Sequence, residues 1–496
     1  MSRKTFSANF TYNVVGALLP LATSLGTVPF YIHQIGLARY GVVTITWVLL
    51  GYFGFLDFGL SRASANALAK LEHGSSRERS PVLVTAFCCN LGLGLAGGLL
   101  LYAVGHMVLL HVVKIPDSVM AETRQAYPWM AAMLPLGMLS GVSTGALESR
   151  EKFLLSNMLS TFGTIGGQII PLICAYAIGP SLEVVIPATL LVRLVSVALS
   201  YAIVIRIEWP VRLFDVSLDW ARKLFGYGSW VSVSSLLNPL FDTSNQLIIG
   251  AMLGAASVPI YSVPMNLAMR SQVFATSLSR TLFPRNSRST HEDAVDVTRR
   301  ATITLLYGFG MVCGPAILLC GPFLRLWIGH RFEVASQPVA QILMFGAWTN
   351  GVAFLPYGFL QARGKPHVTA QVGIAEIVPF FLVLWFLTMR LGLPGAALAW
   401  TLRVTVNCIV LHILSGCIPD KPWRALPAVL LMAGSLLVAR LVPMSTVTAV
   451  ILAVGVGLAL ASCAMILDPI ARGLALKTTR RFGVLRATAL SQHDSV

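Results

Sequence analysis

The chain is predicted to be an all-α polytopic membrane protein of about 14 transmembrane helices, two six-helix bundles of the same orientation followed by two extra helices. Three observations predict it. Of 496 residues, 56% are apolar and 11% are charged, and the mean hydropathy is +0.75; soluble domains carry about 25% charged residues, so this chain cannot cover a water-facing surface and needs lipid as its main solvent. The apolar residues fall into runs of bilayer length. The pattern of those runs occurs twice.

A hydrocarbon core about 30 Å thick needs roughly 20 apolar residues per helix. Runs of that length, bounded by charges or Gly/Pro clusters, cover 10–32, 41–61, 82–110, 126–147, 153–178, 184–205, 226–253, 258–283, 301–320, 339–360, 368–389, 395–416, 425–439 and 446–467. The loops between them are too short to hold a soluble domain. The first run continues through Pro20 and Pro29 to Ile32 with no small-residue cleavage site, so it reads as a retained span rather than a signal peptide. Prolines inside spans, such as Pro135, Pro239 and Pro264, allow bending.

Charge bias sets the orientation. Of the 36 Lys and Arg, 26 lie on the side of the N-terminal tail and every second loop after it, and 7 lie on the other. By the positive-inside rule both ends are cytoplasmic, and the net charge of +16 needs no nucleic-acid partner. The tail from Arg472 to Arg486, with Leu474, Leu476, Phe482 and Leu485 between charges, suits anionic headgroups.

Spans one to six and seven to twelve align as two copies. Arg39-Tyr40-Gly41 matches Ile260-Tyr261-Ser262 at an offset of 221, and residues 147–152 match 360–365 at 213. In the sixth span of each copy, Leu-Leu-Val-Arg193-Leu-Val matches Trp-Thr-Leu-Arg403-Val-Thr at 210. The expected organisation is a six-helix bundle over 1–207, a second over 208–417, two additional helices over 418–467 and a basic cytoplasmic tail over 468–496.

Three arginines remain inside spans: Arg193, Arg270 and Arg403. Each costs roughly 2.5 to 3.5 kcal/mol at a helix centre and cannot escape by losing its proton. Each must face water, a counter-ion or an anionic ligand. The deepest carboxylates are Asp57, Asp242 and Glu376, with Glu148 near a mouth. Pairing each arginine with an acid as packing glue is one alternative; the recurrence of Arg193 and Arg403 in equivalent spans favours a wet chamber of net positive charge between the bundles. Arg193, Arg270 and Arg403, with Asn238 and Asn266, are the candidate substrate-binding residues. Asp242, beside Asn238, Asn245 and Gln246, suits a proton or cation site or an arginine partner. Asp57 is a second ion-coupling candidate, against a local contact with Arg62 or a helix end. Asn13, Gln168, Asn350 and Asn407 line the same path or bond between helices.

Enzyme signatures match only on paper. Gly141-Val142-Ser143-Thr144-Gly145 fits a nucleophile elbow but lies within an apolar helix, and residues 358–365 miss the phosphate-loop spacing, with Pro366 where Ser or Thr is needed. The eight cysteines form no CxxC pair and sit almost entirely in apolar stretches. No metal or organic cofactor is expected.

Several runs carry a resemblance: Gly36-Leu37-Ala38-Arg39-Tyr40-Gly41, Leu56-Asp57-Phe58-Gly59-Leu60, Gln246-Leu247-Ile248-Ile249-Gly250, Trp327-Ile328-Gly329, Gln361-Ala362-Arg363-Gly364-Lys365 and Leu391-Gly392-Leu393-Pro394-Gly395. In order and spacing the chain resembles the polysaccharide (O-antigen type) flippases of the MOP export superfamily along nearly its whole length. The resemblance implies a MATE-like, V-shaped pair of six-helix bundles in a bacterial inner membrane. It implies movement of polyprenyl-diphosphate-linked oligosaccharides from the cytoplasmic to the periplasmic leaflet, coupled to a proton or sodium gradient. The glycolipid and membrane lipids are its implied partners, with a polysaccharide polymerase and a chain-length regulator as further candidates. An antiporter of cationic drugs would favour an acidic cavity, and a polymerase or ligase acting on the same glycolipid would need a larger outer loop than residues 321–338 provide.

Overall fold

The structure, a computed structural model, describes residues 3–71, 75–209, 215–235, 237–468, 470, 472 and 473. Among these residues every regular element is helical. Two compact units divide the chain, Met1–Pro259 and Ile260–Val496.

The first unit contains α1 (Arg3–Phe53), α2 (Leu60–Lys70), α3 (Ser76–Met107), α4 (Asp117–Glu148), α5 (Phe153–Ala177), α6 (Leu182–Ile207), α7 (Leu218–Ser235) and α8 (Leu237–Leu253). α1 holds both the first expected span and most of the second, and bends at Gly36, whose φ of 80° and ψ of 163° are closed to a side chain. Just past the bend, Arg39 makes a two-point ion pair with Glu122 at 2.6 and 2.8 Å, and Glu122 also accepts the Leu182 N–H. That contact ties α1, α4 and the start of α6 together. Gly141 and Gly145 let α4 lie close against Ser61 and Ala65 of α2.

At the expected cytoplasmic end, Arg79 at the start of α3 is fully buried. It donates to Glu208 beyond α6, to the carbonyls of Leu68 and Leu71 at the end of α2, and to Ser149 Oγ after α4. Arg150 completes the cage with an ion pair to Glu208 at 3.0 Å. Leu224 and Trp220 bring α7 onto the same apolar cluster as α2 and α3, and α8 packs along α1. For this reason residues 208–259 belong to the first compact unit.

Four helices follow around the second unit's start: α9 (Ser257–Ser271), α10 (Val273–Arg288), α11 (His291–Trp327) and α12 (His330–Ala362). After them come α13 (Pro366–Leu391), α14 (Leu393–Ser415), α15 (Leu426–Leu441) and α16 (Thr446–Leu467). Its core joins α11, α12, α15 and α16 around Tyr307, Phe309, Trp348, Met432 and Leu460. The indole of Trp348 is satisfied by the Leu306 carbonyl at 3.0 Å, as burial requires.

Among the described residues eleven helices are long and apolar enough to cross a membrane. The fourteen expected spans differ from this for local reasons. Two expected spans share the bent α1, the eighth is broken at Gln272 into α9 and α10, and the seventh is covered by α7 and α8 on either side of residue 236, which lies outside the described residues.

Candidate functional site

The second expected span stops being α-helical inside the first unit. A single 3-10 turn, Gly54–Asp57, follows α1, and Phe58 and Gly59 take left-handed φ of 45° and 67° before α2 begins. Asp57 closes the break, its carboxylate accepting the Ser61 N–H at 3.3 Å and the Ser61 hydroxyl at 3.1 Å. An acceptor at that place satisfies donors a helix start leaves open, and its negative charge meets the positive end of the helix dipole. Irregular backbone at membrane depth is tolerated where it lines a cavity or is buried in protein.

A cavity of about 240 Å³ lies at this break. Its walls are Leu50 and Gly54 from the end of α1, Asp57 and Ser61, Met133, Leu134, Gly137 and Met138 from α4, and Arg193 from α6. The Arg193 guanidinium lies over the Trp47 ring, 5.5 Å from its centroid. Gly137 gives it room, because a Cβ there would come to 3.0 Å from Nη2. Among the described residues Arg193 makes no ion pair; Asp57 lines the same cavity but is occupied with Ser61. The result is a half-buried guanidinium that lines the cavity, stacked on Trp47.

Arg403, its counterpart in the second unit, has a different setting. Nη1 is 3.5 Å from Glu376 Oε2 on α13, and the guanidinium lies over the Phe380 ring at 5.3 Å. Glu376 Oε1 accepts the Asn407 amide at 2.6 Å. Arg403 is therefore held beside a carboxylate, the alternative that the sequence left open.

Arg270 and Asn266 lie one turn apart on α9, both exposed. The side chains of Asn238 and Asp242 lie outside the described residues, as do Asn13 and the tail beyond residue 473. Gln168 bonds between helices, accepting from Thr27 Oγ1 at 3.2 Å. Asn350 does the same, donating to Gln272 at 3.1 Å where α9 gives way to α10. The sequence reading missed Trp47 and Gly137 around Arg193, and the pairing of Glu376 with Arg403. Asn407 carried a usable signal, since it lies one helical turn beyond Arg403 on the same face. Among the described residues no three His, Cys, Asp or Glu side chains are placed to hold a metal.

Residues 6–290 match the family described as polysaccharide biosynthesis protein. A Shigella flexneri protein named "Putative O-antigen transporter" is 26% identical over 408 residues, 82% of this chain and 96% of its own. Two solved structures share the fold. An inward-facing multidrug resistance MATE family transporter of the MOP superfamily superposes with a TM-score of 0.68 at 14% identity, over 81% of this chain and 97% of its own. The lipid II flippase MurJ, in an inward closed conformation, gives 0.67 at 14% identity, over 90% and 99%.

Proposed function

The chain belongs to the polysaccharide biosynthesis protein family, and from that premise we propose that it flips polyprenyl-diphosphate-linked oligosaccharides from the cytoplasmic to the periplasmic leaflet of a bacterial inner membrane. Both termini are cytoplasmic, and a proton or sodium gradient drives the cycle by alternating access. The observation that most supports this function is Arg193, a guanidinium at span depth without an acidic partner among the described residues, turned toward an open cavity. A buried cation costs roughly 2.5 to 3.5 kcal/mol, and a phosphorylated headgroup relieves that cost only while it is bound. The cavity, at about 240 Å³, is smaller than the roughly 300 to 1,000 Å³ of a drug-sized ligand site. It suits the phosphates, with the glycan elsewhere and the prenyl tail in lipid. Arg403 with Arg270, Asn266 and Asn238 complete the proposed binding set, and Asp242 or Asp57 the coupling.

The test is made in cells that depend on this protein. Arg193→Gln should leave the membrane abundance of the protein unchanged while lipid-linked oligosaccharide builds up facing the cytoplasm. Export should fall at least about tenfold, the effect expected of removing one charge-assisted hydrogen bond to the phosphates. Normal export by both Arg193→Gln and Arg403→Gln rules the function out as drawn.

A further inference from the structure

The two repeated arginines are built unequally. At the repeat offsets of 213 for the fifth spans and 210 for the sixth, Glu376 and Asn407 of the second copy fall on Gly163 and Val197 of the first. The carboxylate and its amide anchor therefore exist only around Arg403. Their geometry is also unlike that of the structural ion pairs in the same chain. Arg39 grips Glu122 through two contacts at 2.6 and 2.8 Å, and Arg79 grips Glu208 at 2.8 to 3.1 Å. Arg403 meets Glu376 at 3.5 Å, and the Oε2 it faces accepts no hydrogen bond among the described residues. Glu376 Oε1 is already committed to Asn407. A pair built this way offsets charge without closing the two-point geometry that makes arginine–carboxylate contacts strong.

We propose that Glu376 is an internal counter-anion: it occupies Arg403 while the protein is empty, keeps monoanionic lipid headgroups off it, and yields the guanidinium to a diphosphate. The proposal rests on the function above, in which Arg403 receives the phosphorylated head. A resident competitor lowers the apparent affinity of every anion by the same factor. A phospholipid headgroup with one charge then falls below occupancy even in an anionic leaflet, while a diphosphate, with more charge and more acceptor oxygens, stays above it.

The linkage has a definite sign. Removing the charge of Glu376, by a proton or by substitution, favours the anion, so proton and diphosphate bind together. Export driven by proton entry needs ligands that exclude each other, so Glu376 sets selectivity and the coupling carboxylate is another residue. A sodium ion is disfavoured too, because the only open oxygen faces a fixed cation. Within its unit the charged and titratable groups near Glu376 are few. From α14 the charged neighbour is Arg403, beside the neutral amide of Asn407, and His412 of that helix turns to Thr302. α12 has no Asp, Glu, Lys, Arg or His between Glu333 and Arg363, and on α13 itself His367 and Arg390 lie at the two ends.

The full chain in lipid nanodiscs, with a short-chain polyprenyl diphosphate as probe and phosphatidylglycerol as competitor, tests the proposal. In zwitterionic lipid Glu376→Gln should bind the probe about tenfold tighter than wild type, as expected of a competitor bound ten to one. Phosphatidylglycerol should cancel that gain while shifting the wild type less than about twofold. Glu376→Asp, which keeps the charge but draws it back by one methylene, gives a smaller gain in the same direction and serves if the Gln variant does not fold. In an Arg403→Gln background the substitution at 376 should change nothing. Unchanged or weaker binding by the 376 variants, or a gain that persists without Arg403, overturns the proposal. Wild-type binding by Arg403→Gln alone overturns the role of Arg403 itself, a separate failure.

Discussion

Asp57 shows how one side chain admits two readings that chemistry can separate. Its carboxylate accepts two hydrogen bonds from Ser61 at the start of α2, which is a capping role, yet it also lines the cavity of Arg193. Asparagine caps a helix about as well as aspartate, and alanine does not. Asp57→Ala should therefore destabilise the protein by about 1 kcal/mol, and Asp57→Asn should nearly restore the melting temperature. If the carboxylate also couples ion movement, Asp57→Asn will be as stable as wild type but will lose the dependence of export on the gradient. Unaltered gradient dependence makes Asp57 a cap and nothing more. The sequence placed Asp57, Arg193 and Arg403 at depth because charge in an apolar run stands out. It could not show what each one touches, because Trp47 and Gly137 look like ordinary packing residues and Glu376 lies on a different helix from its partner.

Between elements, polar cages do what apolar contacts cannot do in lipid, where the solvent is as apolar as the interface. The cage around Arg79 joins the ends of α2, α3, α4 and α6 outside the apolar stretch. Burial pushes the Glu208 carboxyl up, but hydrogen bonds from Arg150 and Arg79, with their charges, outweigh it and hold the group below the usual range. A carboxyl whose folded value is depressed contributes stability in full above its unfolded value of about 4.3 and loses it as pH falls through the folded value. The melting temperature should therefore drop below about pH 5. Glu208→Gln should flatten that slope and cost about 3 kcal/mol at neutral pH, because it leaves Arg79 buried without its counter-charge. Equal pH profiles for the two proteins would place the acid sensitivity elsewhere. Span positions were legible in the sequence because bilayer thickness fixes the length of an apolar run. The breaks at Gly54–Asp57 and at Gln272 were not, since hydropathy is blind to hydrogen-bond geometry.

Across the whole chain a further pair of contacts falls at the repeat spacing. Arg79 joins Glu208 in the first unit, and Arg299, 220 positions on, joins Asp420 and the Gly416 carbonyl in the second. In each unit a cation at the start of a long helix closes on the segment after the sixth span of that copy. The copies then diverge. α3 presents Leu95, Leu99 and Leu100 outward, while at the same offset Pro315 of α11 meets Gly457 of α16, Leu319 packs on the cluster shared with α15 and α16, and Cys320 is buried. The fit is close: Gly314 faces Val456 and Met432, and the Tyr307 hydroxyl donates to the Arg424 carbonyl at 2.6 Å. The last two helices, which look like an appendix in the sequence, are thus part of the second unit's core, and Asp420 of its clamp lies in the segment that leads to them. Ending the chain after Cys417 should strip one side of α11 and open the clamp together. A loss of even 1 to 2 kcal/mol changes abundance several-fold, so the truncated protein should fall at least that far in isolated membranes and lose its monodisperse peak in detergent. If it instead accumulates normally but no longer exports, α15 and α16 serve the transport cycle and not the core.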